Sequence, residues 1–315
     1  MTPRQRAIEA LERRRPPGRV PSCELAFFLF DEWMGEPTHK PYLPEDANDA
    51  ERDRVYKAYV RDATEVFRKM DHCIITEWGG DPRLLEVYRE ETGDEFLLGF
   101  PGDPTFGIPD GTAMEAFVVR LAEDPEGLHE EASRGVDESV ARAELMHRAG
   151  GDVIWMGSDY AMNGGPFLSP AMFAEFVAPY LARVIQGYRE LGLYVIKHSD
   201  GDINPLMDMI VDAGPHAIHS IDSIAGMDIR QLKKDFGDRV ALMGNVPHGP
   251  LQMNRFEEIE TAARYCLEHG GVQQGGYIYS TSNAVFGDPI NGIDVGTYRF
   301  MLNIRDRYMA EISSS

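Results

Sequence analysis

Through the second half of the chain, short apolar runs alternate with longer stretches in which apolar residues recur every three or four positions. Residues 151–157, Gly-Asp-Val-Ile-Trp-Met-Gly, have the length and composition of a buried strand. After a loop over 158–168, Ser169 and Pro170 supply a helix cap and a first-turn proline. Phe173, Phe176, Val177, Tyr180, Leu181, Val184, Ile185 and Tyr188 then fall on one helical face, and Gly192 stands where the helix should end. The unit repeats. Residues 194–198, 217–221, 239–243 and 277–280 read as further strands. Between them lie helices opened by Asn204-Pro205, by Asp228 and near Phe256, and closed by Gly214, Gly237 and Gly270.

Counting backwards adds candidate strands at 19–28, 72–77 and 95–100, which brings the total to eight. Apolar strands separated by helices imply a parallel sheet with right-handed crossovers. Eight such units favour an α/β fold of the (β/α)8 TIM-barrel type, as one domain over residues 1–315. The stretch 101–114 reads as loop. No glycine-rich string of the dinucleotide or nucleoside-triphosphate type follows a strand.

Composition narrows the partners. The net charge is −21 and 43% of residues are hydrophobic, so a large core is available and nucleic acid is repelled. Cys23, Cys73 and Cys266 form no paired framework, as expected of reduced thiols in a cytoplasmic protein. Residues 1–15 lack the apolar segment of a secretory signal, and no run of 18 apolar residues suggests a membrane span.

In a parallel barrel the chemistry comes from the carboxyl ends of the strands and the loops after them. In strand order, those positions offer Glu24; Glu77; Asp103; Asp159 and Tyr160; His198, Ser199 and Asp200; Asp222; Asn245 and His248; and Ser280, Thr281, Ser282 and Asn283. Ionised carboxylates crowded together raise one another's pKa unless something offsets the repulsion. The set therefore points to a bound metal, a cationic substrate or a protonated acid used in catalysis. His198, at a strand end with an acid two residues on, suits a metal ligand or an acid–base group. His72, at the opposite end of its strand, reads as structural.

Several strings resemble the uroporphyrinogen decarboxylase superfamily. They are Gly164-Gly165-Pro166-Phe167-Leu168-Ser169-Pro170 with Phe173, Phe176, Pro179 and Tyr180; His198 with Gly201; Asp222; Gly244-Asn245-Val246; and Arg4 and Arg6 with Arg19-Val20-Pro21. The resemblance spans nearly the whole chain and also implies a (β/α)8 barrel. True uroporphyrinogen decarboxylases carry an arginine-rich loop after this opening, where this chain reads Ser22-Cys23-Glu24-Leu25-Ala26-Phe27-Phe28. The family's late histidine falls at Asn283.

The resemblance is nearer to the cobamide-dependent methyltransferase branch. It implies methyl transfer from a small methylated substrate, such as a methyl ether, to a corrinoid carried by a separate partner protein. No Asp-x-His-x-x-Gly string is present to hold a corrinoid in this chain. The branch's zinc ligands map onto His198, Asp200 and Asn283, the last two standing in place of cysteines, a set suited to a harder cation or to weaker zinc binding. On this reading His198 and Asp200 hold the metal. His198, Glu77, Tyr160 and Asp159 are catalytic, and Glu24, Asp222, Asn245 and Asn283 contact substrate. A homodimer is expected from the family. The alternative is a lyase decarboxylating a small acid or porphyrinogen, for which Lys197 and Arg19 are the strand-adjacent cations able to anchor a carboxylate.

Overall fold

A computed structural model describes residues 1–287 and 292–314. Seven parallel strands form one curled sheet in the order β1 (Ile74–Thr76), β2 (Leu97–Pro101), β3 (Val153–Met156), β6 (Tyr194–Ser199), β7 (Ala217–Ser220), β8 (Ala241–Val246) and β9 (Tyr277–Thr281). A small antiparallel hairpin, β4 (Ala161–Met162) with β5 (Gly165–Pro166), occupies the segment expected to be loop. Helices separate the strands of the large sheet and cover its outer face.

The expected first strand, residues 19–28, does not form. Only isolated bridges occur: Ser22 pairs with His72 beside β1 and with Tyr279 in β9, and Phe27 pairs with Val285. The Ser22 carbonyl accepts from Cys73 N at 2.8 Å, and the Pro21 carbonyl accepts from Tyr279 N at 2.9 Å. Pro21 has no N–H to give, and prolines at 16 and 17 precede it, so no longer ladder can grow here. The segment thus touches both edges of the sheet without adding a strand.

Side chains alternate along the strands as the pleat requires. Ile74, Leu97, Val153, Trp155, Ile196, Ala217, Ala241, Met243 and Ile278 share one cluster inside the curl, with Cys23 and Cys73. Ile75, Leu98, Phe100, Ile154, Val195, Ile218 and Leu242 join the second cluster, with the helices. Burial on both faces explains why the strands read as continuous apolar runs. The first helix, Pro3–Leu11, starts with a capping box from Thr2 and Gln5 and buries Ala7, Ala10 and Leu11 against the inner cluster. Arg4 clamps Asp152 at 2.6 and 2.8 Å, and Arg6 binds Asp71. Both acids precede strands, so these arginines fasten the helix at the amino end of the sheet, away from the strand ends that bear chemistry.

The helix expected from Ser169 onward is capped as read, Ser169 Oγ accepting from Met172 N. It is broken in two, Pro170–Phe176 and Ala178–Glu190. Pro179 lacks an N–H and its ring would crowd the carbonyl four residues back, which forces the break at Val177.

Trp155 is wholly buried across Gly99 of β2. A Cβ at position 99 would lie 2.8 Å from the indole Nε1 and 3.1 Å from Cδ1. Gly99→Ala should therefore lower stability by about 1–3 kcal/mol through overpacking. Urea denaturation reads this; an unchanged midpoint would mean that the indole yields freely.

Candidate active site

Two loops meet the end of β6 at the carboxyl end of the sheet, tied together by one buried cation. The Lys197 ammonium, 1% exposed, donates to Asp103 Oδ2 at 2.9 Å, the Ser158 carbonyl at 2.7 Å and the His198 carbonyl at 2.9 Å. It also lies 4.0 Å from the centre of the Tyr160 ring. Burial lowers the Lys197 pKa, with Asp103 opposing the fall. Burial works against the Asp103 carboxylate too, but the Lys197 charge and four donated hydrogen bonds hold it below its usual range. Asp103 Oδ1 takes the Thr105 hydroxyl proton at 2.6 Å. Thr105 Oγ1 must then accept from the Tyr160 hydroxyl, also at 2.6 Å.

Asp159 lies between the two residues so pinned. Its Oδ1 accepts from Asp200 N at 2.8 Å. Asp200 follows β6, and its Oδ2 accepts from Asn283 Nδ2 at 2.6 Å. Gly201, with φ of +81°, lets this loop pass under the hairpin, since a Cβ there would be 2.3 Å from the Ala161 carbonyl oxygen. His198 completes the group. Its Nε2 stands 3.7 Å from Asp159 Oδ1 and 3.9 Å from Asp200 Oδ1. Those separations are too long for hydrogen bonds. They are close to the ~3.6 Å between two ligands that each stand ~2.2 Å from a tetrahedral ion. Among the described residues, Asp159, His198 and Asp200 are the group whose ligand atoms fall within 4.8 Å of one another.

The electrostatics fit a cation. Burial and then the Lys197 charge push the His198 pKa down to about 3, so the ring is neutral near pH 7. Burial and then the Asp159 charge push Asp200 up to about 6. A neutral imidazole between two carboxylates leaves negative charge uncompensated at a partly buried spot, and a divalent ion would offset it. The carboxylates open outward: the Asp159 side chain is 42% exposed and that of Asp200 33%, against 7% for His198. Asp159 also lines a cavity of about 890 Å³ with a mixed wall, apolar at Phe106, Pro109 and Phe117 and charged at Arg120 and Glu131.

His219 lies beside His198 and was not singled out in the sequence. The two residues are paired in register on β6 and β7. Their Nδ1 atoms are 2.9 Å apart, and His219 Nε2 is 3.1 Å from the Thr281 carbonyl oxygen. The inward period of two that places Ala217 in the interior also places His219 there, and this was the available signal.

The other expected residues are distributed differently. Asn283 reaches Asp200, as described. Glu24 is buried, 4% exposed, and accepts from Ser280 Oγ at 2.9 Å, Thr281 N at 3.0 Å, Thr281 Oγ1 at 2.6 Å and Tyr298 Oη at 2.9 Å. It is a strut under the last strand. Glu77 turns back on its own loop, both oxygens 2.9 Å from Gly79 N, and burial raises its pKa. Asp222 accepts from Gly201 N and Ile224 N and so shapes the loop after Asp200. Asn245 faces the outer helices, donating to the Ile221 carbonyl and accepting from Cys266 Sγ. The Tyr160 hydroxyl is committed inward to Thr105.

Comparison with known proteins follows the same lines. Residues 110–289 match the family model described as uroporphyrinogen decarboxylase (URO-D). The chain belongs to this family. Within it, the uroporphyrinogen decarboxylase of Coxiella burnetii (strain RSA 493 / Nine Mile phase I) is 25% identical over 215 residues, 63% of this chain and 54% of that protein. The uroporphyrinogen decarboxylase of Xanthomonas axonopodis pv. citri (strain 306) is 27% identical over 235 residues, 69% of this chain and 63% of its own length. The chain thus spans between about half and two thirds of the length of these URO-D relatives. A solved structure, a methyltransferase from Methanosarcina mazei, superposes with a TM-score of 0.75 at 14% identity, covering 98% of this chain and 99% of that one. At that identity the likeness is one of fold. Among the described residues no helix is long and apolar enough to cross a membrane.

The burial of Glu24 has a measurable consequence. Burial, opposed by its four donors, raises its pKa from 4.5 to about 7. Between about pH 4.5 and 7 the folded chain keeps a proton there that the unfolded chain has released, so stability falls as the pH rises through this window. The fall attributable to Glu24 is ~3 kcal/mol. Asp200 acts in the same direction up to about pH 6, weakened by its partial exposure. Glu24→Gln should remove the larger part of this slope, read as denaturation midpoints from pH 4.5 to 8. A slope equal to that of the unmodified chain would show that Glu24 titrates normally.

Proposed function

We propose that this protein is a methyltransferase that moves a methyl group from a small methylated substrate, such as a methyl ether, to a corrinoid held by a separate protein. The observation that carries this reading is the group Asp159, His198 and Asp200, with its ligand atoms turned toward one another at the carboxyl end of the sheet. A methyl ether has a poor leaving group, and charge develops on its oxygen as the carbon–oxygen bond breaks. A divalent cation on these three residues would supply the Lewis acidity that stabilises the oxygen. Nitrogen and carboxylate donors without thiolate suit zinc or a harder ion such as manganese.

The chain's own residues have distinct tasks on this reading. His198 contributes a neutral donor, and the two carboxylates contribute charge. Asn283 holds Asp200 by one oxygen, and Asp200 N holds Asp159, so both carboxylates keep their orientation without a bound ion. The cavity beside Asp159 would offer the substrate an apolar surface at Phe106 and Phe117, next to the charged Arg120 and Glu131. The corrinoid partner would approach from the same open end. The likeness in fold to a protein named a methyltransferase supports the reading, as do the residues that stand in place of the family's arginine loop.

Decarboxylation is the activity named for the curated relatives, and it requires a positive anchor for the departing carboxylate. The two strand-adjacent cations are both engaged, and Arg120 in the wall of the cavity beside Asp159 pairs with Glu131 at 2.8 Å. Lys197 is buried against Asp103, and Arg19 pairs with Asp71 at 3.0 Å and Asp306 at 3.4 Å beside the start of β1. A polycarboxylate entering the mouth would meet Asp159 and Asp200 instead.

The test supplies cob(I)alamin with aryl methyl ethers, methylamines and thiols and follows methylcobalamin formation, before and after loading with Zn²⁺ or Mn²⁺. Transfer should depend on the added ion and fall at least a hundredfold in His198→Ala and Asp200→Asn, with metal content by elemental analysis falling in parallel. Absence of transfer from every methyl donor, with carbon dioxide released from a carboxylated substrate, would replace this reading by the lyase.

A further inference from the structure

His198 has two ring nitrogens, and only one faces the carboxylates. We propose that His219 is a positioning residue that fixes the tautomer of His198, with the proton on Nδ1 and a bare Nε2 aimed between Asp159 and Asp200. The value of this for cation binding rests on the reading above. The tautomer itself does not.

The direction of each hydrogen bond follows from the far end of the chain of contacts. A backbone carbonyl can only accept, so His219 Nε2, 3.1 Å from the Thr281 oxygen, carries a hydrogen. His219 is 0% exposed, and a neutral ring with its proton on Nε2 has a lone pair on Nδ1. That lone pair lies 2.9 Å from His198 Nδ1. Two lone pairs cannot face each other at that distance, so His198 Nδ1 is the donor, and its Nε2 is left without a hydrogen. The start of the series is itself fixed. Thr281 pairs with Val246 across β8 and β9, and its N–H and hydroxyl both donate to Glu24 Oε2, so its carbonyl cannot rotate away from His219. The Trp155 and His219 rings pack nearly perpendicular, with centres 5.9 Å apart at 87°, which restricts the imidazole plane.

A histidine suits this place better than the carboxylate that often supports a ligating histidine. A third acid behind Asp159 and Asp200 would add negative charge in the interior, where it is most costly. An imidazole accepts the His198 proton and brings no charge.

The experiment uses the full chain labelled with 15N-histidine, read by long-range proton–nitrogen correlation, together with calorimetric titration of Zn²⁺. In the unmodified protein without added ion, His198 should show a protonated Nδ1 and an unprotonated Nε2. His219→Phe keeps the ring shape and removes the acceptor; it should release the tautomer and weaken Zn²⁺ binding by about ten- to a hundredfold. His219→Asn, whose carbonyl oxygen falls near the former Nδ1, should restore most of the affinity. A purely structural role would predict the reverse order, since Phe fills the apolar volume better. A proton on His198 Nε2 in the unmodified chain overturns the proposal, as does unchanged Zn²⁺ affinity in His219→Phe. If the unmodified chain binds no Zn²⁺, the cation reading fails on its own, and the nitrogen spectrum still decides the tautomer.

Discussion

The contact on which the site depends is the ion pair of Lys197 and Asp103. It joins the loop after β2, the loop after β3 and the end of β6 in one buried set of hydrogen bonds. Taking two charges out of water is costly, and the attraction between them repays this only when their remaining donors and acceptors are satisfied. Here they are. The ammonium makes three hydrogen bonds, and the carboxylate accepts from Lys197, Ser158 and Thr105. Removing either partner would strand the other at a cost of about 3–5 kcal/mol. A lysine under that obligation cannot also bind a substrate carboxylate, which bears directly on the chemistry the mouth can support.

Polar groups elsewhere in the same region are committed in the same way. Tyr160 gives its proton to Thr105, Glu24 collects four donors beneath the last strand, Asp222 caps the loop after Asp200, and Asn245 turns to the outer helices. Each of these contacts fixes a backbone segment. Asp159 and Asp200 differ because each keeps substantial exposure while standing beside a neutral histidine. The region therefore separates into a rigid underlayer of satisfied groups and a small outward cluster whose charge is not balanced from within.

That separation explains how far the sequence could be read. Strand positions were legible because burial on both faces makes them continuous apolar runs, and seven of the eight expected strands form. The eighth, 19–28, was apolar enough to mislead, and Pro21 decides against it by withholding a donor. His198, Asp159 and Asp200 were legible as strand-end groups. Glu77 and Asp222 had the same standing in the sequence, but their direction is set by hydrogen bonds to loop amides at Gly79, Gly201 and Ile224, which no periodicity announces. Lys197 stands in the sequence as a strand-adjacent cation able to anchor a carboxylate, and its commitment to Asp103 is not legible there because that partner lies 94 residues away. His219 was hidden for the opposite reason: it sits in the middle of a strand, where attention falls on apolar neighbours.

The position of His219 inside a strand is itself informative. A loop residue could support His198 only as well as the loop is ordered, whereas register pairing between β6 and β7 fixes both Cα atoms and leaves only the ring torsions. Trp155 restricts the His219 ring, and the carbonyl of Thr281 gives that ring a direction. The polarity of the strand backbone is in this way conveyed through two neutral rings to the point where Nε2 meets the carboxylates. No charged group is needed in the interior to achieve it, and the negative charge of the site stays on the two side chains that can reach an ion or a substrate from the open end.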